Sequence, residues 1–326
     1  MPIIGYHASH EQFSPSDLLQ YVQAAEKAGF DAGMCSDHFH PWTPSQGHGA
    51  FAWSWLGAAL QATGLSFGTV TAPGYRYHPA IVAQAAATLA FMYPGRFWLA
   101  LGSGEALNEA ITGGRWPAKD ERNARLRECV DIMRALWAGE TVSHRGLVTV
   151  EQATLYTRPP TPPTLFCAAV SKQTARWAGD WAEGLITIAQ PPEEVEPVAQ
   201  AFRESAGDDA LLVMQVQIAL ADTDEQAQRL AKERWPIVAL SGDALWELSQ
   251  PEHLDAATAN ADVSVYARNM LATSSIDELV ERMGRYMELG FERFYVHHVG
   301  PDQHRFIERF ADQVIPQLRR SAAAVG

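Results

Sequence analysis

Residues 66–109 read SFGTVTAPGYRYHPAIVAQAAATLAFMYPGRFWLALGSGEALNE. A short β-type run (66–71) leads into a helical stretch that opens at Pro79 and continues to Met92. Pro94 and Gly95 break the helix, and a second β-type run (96–101) ends in Gly102-Ser103-Gly104. This is the strand–helix–strand repeat of an α/β protein, and the rest of the chain repeats it.

Upstream, residues 3–7 form another β-type run. Ser14 and Pro15 then open a helix, Ser14 as N-cap and Pro15 at the first helical position, with Asp17 in the first turn. Leu18, Val22, Ala25 and Ala28 keep helical spacing, and Gly29 ends it. A strand over 31–36 and a helix over 51–62 lead into residue 66. Downstream come a long helix (117–137), strands at 164–169, 184–188, 211–220 and 293–296, and helices from 171 and over 223–235, 276–289 and 301–319. Eight strands alternating with helices predict one domain over residues 1–326, an α/β fold of the (β/α)8 TIM-barrel type. A doubly wound open sheet is the competing architecture, but no Gly-x-Gly-x-x-Gly follows the first strand. Residues 237–263 interrupt the repeat, and long inserts in barrels cap the site at the C-terminal ends of the strands.

The net charge of −13 argues against nucleic acid or an anionic membrane as the main partner. Cys35, Cys129 and Cys167 form no paired motif, so neither a disulfide framework nor a zinc or other metal site is expected. The expected compartment is the reducing cytoplasm. No window offers the ~20 apolar residues of a membrane span, and residues 1–9 lack the features of a signal peptide.

In a barrel the chemistry lies just past the strand ends. The second strand ends in Ser36-Asp37-His38-Phe39-His40-Pro41-Trp42 and the third in Val70-Thr71-Ala72-Pro73. The fourth ends in Gly102-Ser103-Gly104-Glu105-Ala106-Leu107-Asn108-Glu109, and the fifth in Ala168-Ala169-Val170-Ser171-Lys172. A His beside an Asp at a strand end suits a general base, and it equally suits a structural role on a loop carbonyl. A Glu among small residues at an enclosed mouth suits a proton donor; capping the following helix is its other use. Gly102 and Gly104 let a planar ring approach the backbone. The turn at 168–172 offers backbone N–H groups to a phosphate, although Ser171 also fits ordinary N-capping. Trp53, Trp55, Trp246 and Tyr75 would add apolar surroundings. On successive strand ends these features together point to a cofactor-dependent enzyme.

The same blocks resemble the bacterial-luciferase-like superfamily. Within it they are similar to the F420-dependent glucose-6-phosphate dehydrogenase branch, which uses the 8-hydroxy-5-deazaflavin coenzyme F420. The resemblance runs through Gly5-Tyr6, Glu11-Gln12-Phe13, Ser36-Asp37-His38-Phe39, Pro41-Trp42, Arg76-Tyr77-His78-Pro79, Gly102 to Glu109 and His298 to Phe306. It implies His38 as the base that takes the substrate hydroxyl proton, Glu105 as the acid toward the ring, and Trp42 on the substrate side. It implies Asp37, Asn108 and Gly104 at the cofactor, and Ala169, Val170 and Ser171 at its phosphate. A non-prolyl cis peptide behind the ring is expected at Val70-Thr71. A homodimer is also implied.

The sugar-phosphate members hold their substrate with two Lys and one Arg. The matching stretches here, residues 190–197 and 243–256, contain neither residue type, and Asn269 stands at the third place beside Arg268. The resemblance therefore implies a hydride-transferring oxidoreductase acting on a small hydroxyl, carbonyl or enone substrate other than glucose 6-phosphate. F420 is favoured and FMN is the alternative cofactor. With FMN, a monooxygenase using O2 and served by a flavin reductase becomes the competing function. A flavin-binding protein without turnover is the alternative from another class.

Overall fold

The structure, a computed structural model, describes residues 1–240 and 244–325. In chain order the strands are β1 (Ile3–Ala8), β2 (Ala32–Ser36), β3 (Ser66–Thr71), β4 (Phe97–Leu101), β5 (Val142–Arg145), β6 (Thr149–Ala153), β7 (Thr164–Ala168), β8 (Gly184–Ile188), β9 (Leu211–Leu220), β10 (Leu271–Thr273) and β11 (Arg293–His298). β1, β2, β3, β4, β7, β8, β9 and β11 pair in that order, all parallel, and β11 returns to β1. This is the closed TIM barrel that the repeat predicts.

Local signals behave as read. The Asp17 N–H donates to Ser14 Oγ at 3.2 Å, and Gly29 closes the helix Pro15–Ala28 with φ of 98°. Strands buried on both faces carry unbroken apolar runs, as in the wholly buried Phe97–Leu101. One set of their side chains fills the barrel: Met34, Trp98, Phe166, Ile186, Val213 and Tyr295. The other set packs against the ring of helices.

The Trp98 ring lies 5.3 Å from the rings of both Phe166 and Tyr295. It has room because its neighbour across the β3–β4 ladder is Gly68, where a Cβ would overlap the indole. Gly68→Val is therefore expected to lower the unfolding free energy by about 3 kcal/mol, the upper range for overpacking a core. Urea unfolding measures it; an unchanged midpoint would show that Trp98 can move aside.

Some features escape the periodic reading. β5 and β6 form an antiparallel hairpin beside the barrel, turning where the Gly146 N–H donates to the Val148 carbonyl at 3.0 Å. β10 extends the end of β9. The expected helix over 301–319 divides into Gln303–Gln313 and Ile315–Val325, because Pro316 cannot donate into the first helix. The insertion expected over 237–263 is a chain of short helices: Pro236–Ala239, Ala244–Glu247, Pro251–Thr258 and Ser264–Asn269. Its residues 241–243 lie outside the described residues.

Candidate active site

The ends of β1, β2 and β4 meet at His38. Its Nε2 lies 3.7 Å from Glu11 Oε1 and 3.5 Å from Glu105 Oε1. Its Nδ1 lies 3.1 Å from the Asn108 side-chain nitrogen. The Trp42 ring stands 4.7 Å from the imidazole, tilted by 54°. His38 thus sits between two carboxyls and under an indole, and the loop-carbonyl role is not what its ring atoms do.

The two carboxyls lean in opposite directions. Burial pushes the Glu105 carboxyl above the ordinary range, against the pull of His38, and its Oε2 is buried without a partner. Its side chain makes no capping bond to the helix Ala106–Glu109, which removes the capping role. Burial also acts upward on Glu11, but the neighbouring His38 ring and the Ser36 hydroxyl outweigh it and hold the carboxyl below the ordinary value. Ser9 Oγ and Ser36 Oγ both donate to Glu11 Oε2, at 2.9 and 2.5 Å. Paired groups driven apart in this way are the arrangement that separates an acid from a base.

Gly104 takes a left-handed φ of 81°, and a Cβ there would lie 3.0 Å from Glu109 Cγ and 3.2 Å from the Trp116 ring. It serves the turn that aims Glu105. At Gly102 the nearest atom to an added Cβ is 3.7 Å away, on Ala168, so this glycine leaves the open face.

Asp37 is occupied by the protein itself. Thr71 Oγ1 and Tyr77 OH donate to its carboxylate at 2.6 and 3.1 Å, and Arg76 Nη2 donates to its carbonyl at 2.8 Å. Arg76 lies between Asp37 and Glu109, 3.5 and 3.6 Å away. Burial raises the Glu109 carboxyl from 4.5 to about 7 in spite of Arg76. Its folded pKa exceeds its unfolded one, so the neutral carboxyl contributes stability that is complete below 4.5 and is lost as pH rises through about 7. Between about pH 5 and about pH 8 the wild type should therefore lose about 3 kcal/mol more than Glu109→Gln, by the 1.36 kcal/mol that each pKa unit represents. Urea midpoints at each pH test this; equal declines would exonerate Glu109.

At the neighbouring strand ends one expectation is overturned, and two further sites are found bonded within the protein. Among the described residues no peptide bond is cis, so the bond at Val70-Thr71 is trans. The reason is visible in the ladder: Val70 and Thr71 keep regular register with Ala100 and Leu101, and the Gly102 N–H donates to the Thr71 carbonyl at 2.9 Å. The Ala169 N–H donates to the Ile186 carbonyl at 3.1 Å, and Ser171 Oγ accepts from the Thr174 N–H at 3.3 Å as an ordinary N-cap. Asn108 turns its oxygen to the N–H groups of Phe39 and His40, at 2.8 and 3.2 Å, so most of its polar capacity is spent on the loop and on His38.

On the far side of His38 the insertion closes over Trp42, which is 7 % exposed. Trp42 and Leu107 join Trp235, Ile237, Leu254, Tyr266, Met270 and Val299 in one apolar cluster. Trp53 and Trp55 instead pack in the outer core, with Trp55 Nε1 donating to the Pro15 carbonyl. Tyr75 lies under the Arg125 guanidinium beside Trp116, and Trp246 is half-buried on the insertion. The apolar enclosure exists, but mostly other residues build it. Arg268 is paired with Glu194 at 2.9 Å.

A sequence profile described as luciferase-like monooxygenase matches residues 4–294. The chain belongs to the luciferase-like monooxygenase family. It is similar to the F420-dependent glucose-6-phosphate dehydrogenases of Kribbella flavida and Beutenbergia cavernae. The first is 36 % identical over 329 residues, covering 97 % of this chain and 98 % of its own. The second is 38 % identical, covering 97 % of each. Among solved structures, an F420-dependent secondary alcohol dehydrogenase in complex with an F420-acetone adduct superposes with a TM-score of 0.90 at 32 % identity, over 98 % of this chain and 99 % of that one. The F420-dependent tetrahydromethanopterin reductase of Methanopyrus kandleri, 19 % identical over 97 % of this chain and 99 % of its own, shares the fold at a TM-score of 0.78.

This luciferase-like enzyme also has polar groups at its barrel mouth to which the sequence assigned no role. Glu11 is the main one. The signal was available, since residue 11 follows the end of β1 as His38 follows β2. His7 and His297, facing each other at 4.7 Å, are missed as well. His297 shares a 2.7 Å hydrogen bond with Gln12 Oε1, and burial holds the His7 ring down at about 4, so it stays neutral.

Proposed function

We propose that this luciferase-like enzyme moves a hydride between coenzyme F420 and a small uncharged secondary alcohol or its ketone, and that glucose 6-phosphate is not its substrate. The cofactor reading is supported by the relatives named for F420 and by a mouth that fits a planar ring. Gly102 leaves an open face, Val70 stands half-buried at the top of the barrel interior, and Glu105 Oε2 waits without a partner. Val170 and Ser171 N–H groups, free among the described residues, would meet the phosphate. When bound, the deazaflavin supplies a two-electron hydride carrier. The chain's own part is to bind and orient the substrate oxygen at His38, to shield it with Trp42, and to hold a proton on Glu105.

One observation carries the substrate assignment: among the described residues, the cluster that Trp42 joins is wholly apolar and contains no Lys or Arg. Residues 190–197 and 243–256 contain no Lys or Arg, and Arg268 is committed to Glu194. A phosphate dianion requires such cations. A second copy of the chain would cover Phe51, Ile81, Phe91 and Met92, each more than half exposed, around the stripe Ile81, Ala85, Thr88 and Met92 of the helix Pro79–Met92.

The test is fluorescence-monitored binding of F420 and FMN, followed by F420 reduction with 2-propanol and with glucose 6-phosphate. Tight F420 binding with turnover of the alcohol alone is expected. Turnover of glucose 6-phosphate would refute the substrate assignment. Tight FMN binding without F420 binding would refute the cofactor and bring in oxygen chemistry with a reductase partner.

A further inference from the structure

Asn108 reaches from the helix Ala106–Glu109 to the loop after β2. One side-chain atom lies 2.8 Å from the Phe39 N–H and 3.2 Å from the His40 N–H. Backbone N–H groups only donate, so that atom is the amide oxygen. A flipped amide would set NH2 against two donors and leave both unpaired. The atom facing His38 Nδ1 at 3.1 Å is therefore the NH2, which only donates. His38 Nδ1 must accept, and the proton of the neutral ring sits on Nε2. This assignment rests on the chemistry of the partners. Nε2–H is the group that points between Glu11 and Glu105.

A ring in this state cannot take a proton at Nε2. We propose that Asn108 is a positioning residue that locks His38 as a neutral Nε2–H donor to the substrate oxygen, and that the hydroxyl proton leaves to the Glu11 carboxylate. The proposal rests on the F420-dependent alcohol reading for its substrate. In the oxidation direction the alcohol O–H bond breaks as a Glu11 O–H bond forms. The C–H electron pair leaves with its hydrogen as hydride to the deazaflavin, and the carbon–oxygen bond becomes double. Glu11 is equipped for this: two serine hydroxyls occupy Oε2, and Oε1 is the oxygen beside His38. The other titratable groups around His38 are Glu105, Asp37, and the rings of His7 and His10, which burial keeps neutral.

The test begins with 15N-histidine-labelled, cofactor-free protein, in which NMR correlations between ring protons and ring nitrogens report each tautomer. The His38 signals are identified by their loss in His38→Gln. Wild type is expected to show Nδ1 bare and Nε2 protonated in the neutral ring. Asn108→Asp keeps an acceptor for Phe39 and His40 and offers Nδ1 a carboxylate oxygen, so its proton should move to Nδ1. With F420 and 2-propanol that variant should lose about 10²-fold in kcat at alkaline pH with KM nearly unchanged, the scale for removing one placed donor. A wild-type signal with Nδ1 protonated overturns the proposal, whatever the variants do. Activity of Asn108→Asp equal to or above wild type at alkaline pH overturns the proton route, because it is the outcome for a histidine base. Failure to bind F420 would sink the functional reading alone, since the tautomer is decided on cofactor-free protein.

Discussion

His38→Ala is expected to lower kcat for alcohol oxidation about 10³-fold while leaving F420 affinity within about threefold, the loss typical of a group acting on the reacting proton or oxygen. The ring lies 3.5–3.7 Å from both carboxyls and beneath Trp42, and its removal leaves the substrate oxygen without its positioning contact. Cofactor affinity should persist, because the contacts of this ring, to Glu11, Glu105, Asn108 and Trp42, leave out the strand ends after β3 and β7. His38→Gln refines the experiment. Its amide N–H falls near the position of Nε2–H, so it should recover about tenfold over alanine, as expected of one restored hydrogen-bond donor. Full activity in the alanine variant would remove His38 from the chemistry. Equal activity of the alanine and glutamine variants would remove its role as a donor.

Glu105→Gln should cost about 10²-fold in kcat, within the usual contribution of a placed acid. Glutamine keeps the shape and removes the proton. The sign of the pH dependence follows from the environment. Burial raises the Glu105 carboxyl, so its protonated form persists to higher pH than in an ordinary glutamate. Activity that needs this proton is present at lower pH and declines as pH rises through the raised pKa. The glutamine variant should be slow and should lack that decline. If it keeps the wild-type decline, the titrating group lies elsewhere.

The largest gap between sequence and site is Glu11. Its neighbours His38, Glu105 and Asn108 stand in blocks where small residues and strand ends draw attention, whereas the one signal for Glu11, between His10 and Gln12, is its place past the end of β1. Its significance comes from pairing with His38, 27 positions away, which the β1–β2 ladder brings about. Asn108 shows the opposite case. Its block marks it as a site residue, and only the positions of the Phe39 and His40 N–H groups reveal that its amide bonds the loop and the imidazole. Trp53 and Trp55 are apolar residues that could line the substrate as far as the sequence shows. Their helix turns them onto the outer wall of the barrel, against Phe97 and Phe67.

The sequence by itself determined the eight barrel strands, the helices between them and their order. Helix starts and stops such as Ser14 and Gly29 are local chemistry, and runs apolar on both faces can only be the strands of a covered parallel sheet. It also determined that the chemistry lies on the loops after these strands, because a parallel βα repeat places its site past the carboxyl ends of the strands. Tertiary structure alone decided which groups meet. Barrel closure sets Glu11, His38, Glu105 and Asn108 within hydrogen-bonding or ion-pairing reach across the mouth. Burial there raises the Glu105 carboxyl, and the folded insertion supplies the apolar wall over Trp42. Distances across the mouth and exclusion of water are properties of the closed barrel, so no local stretch of the chain encodes them.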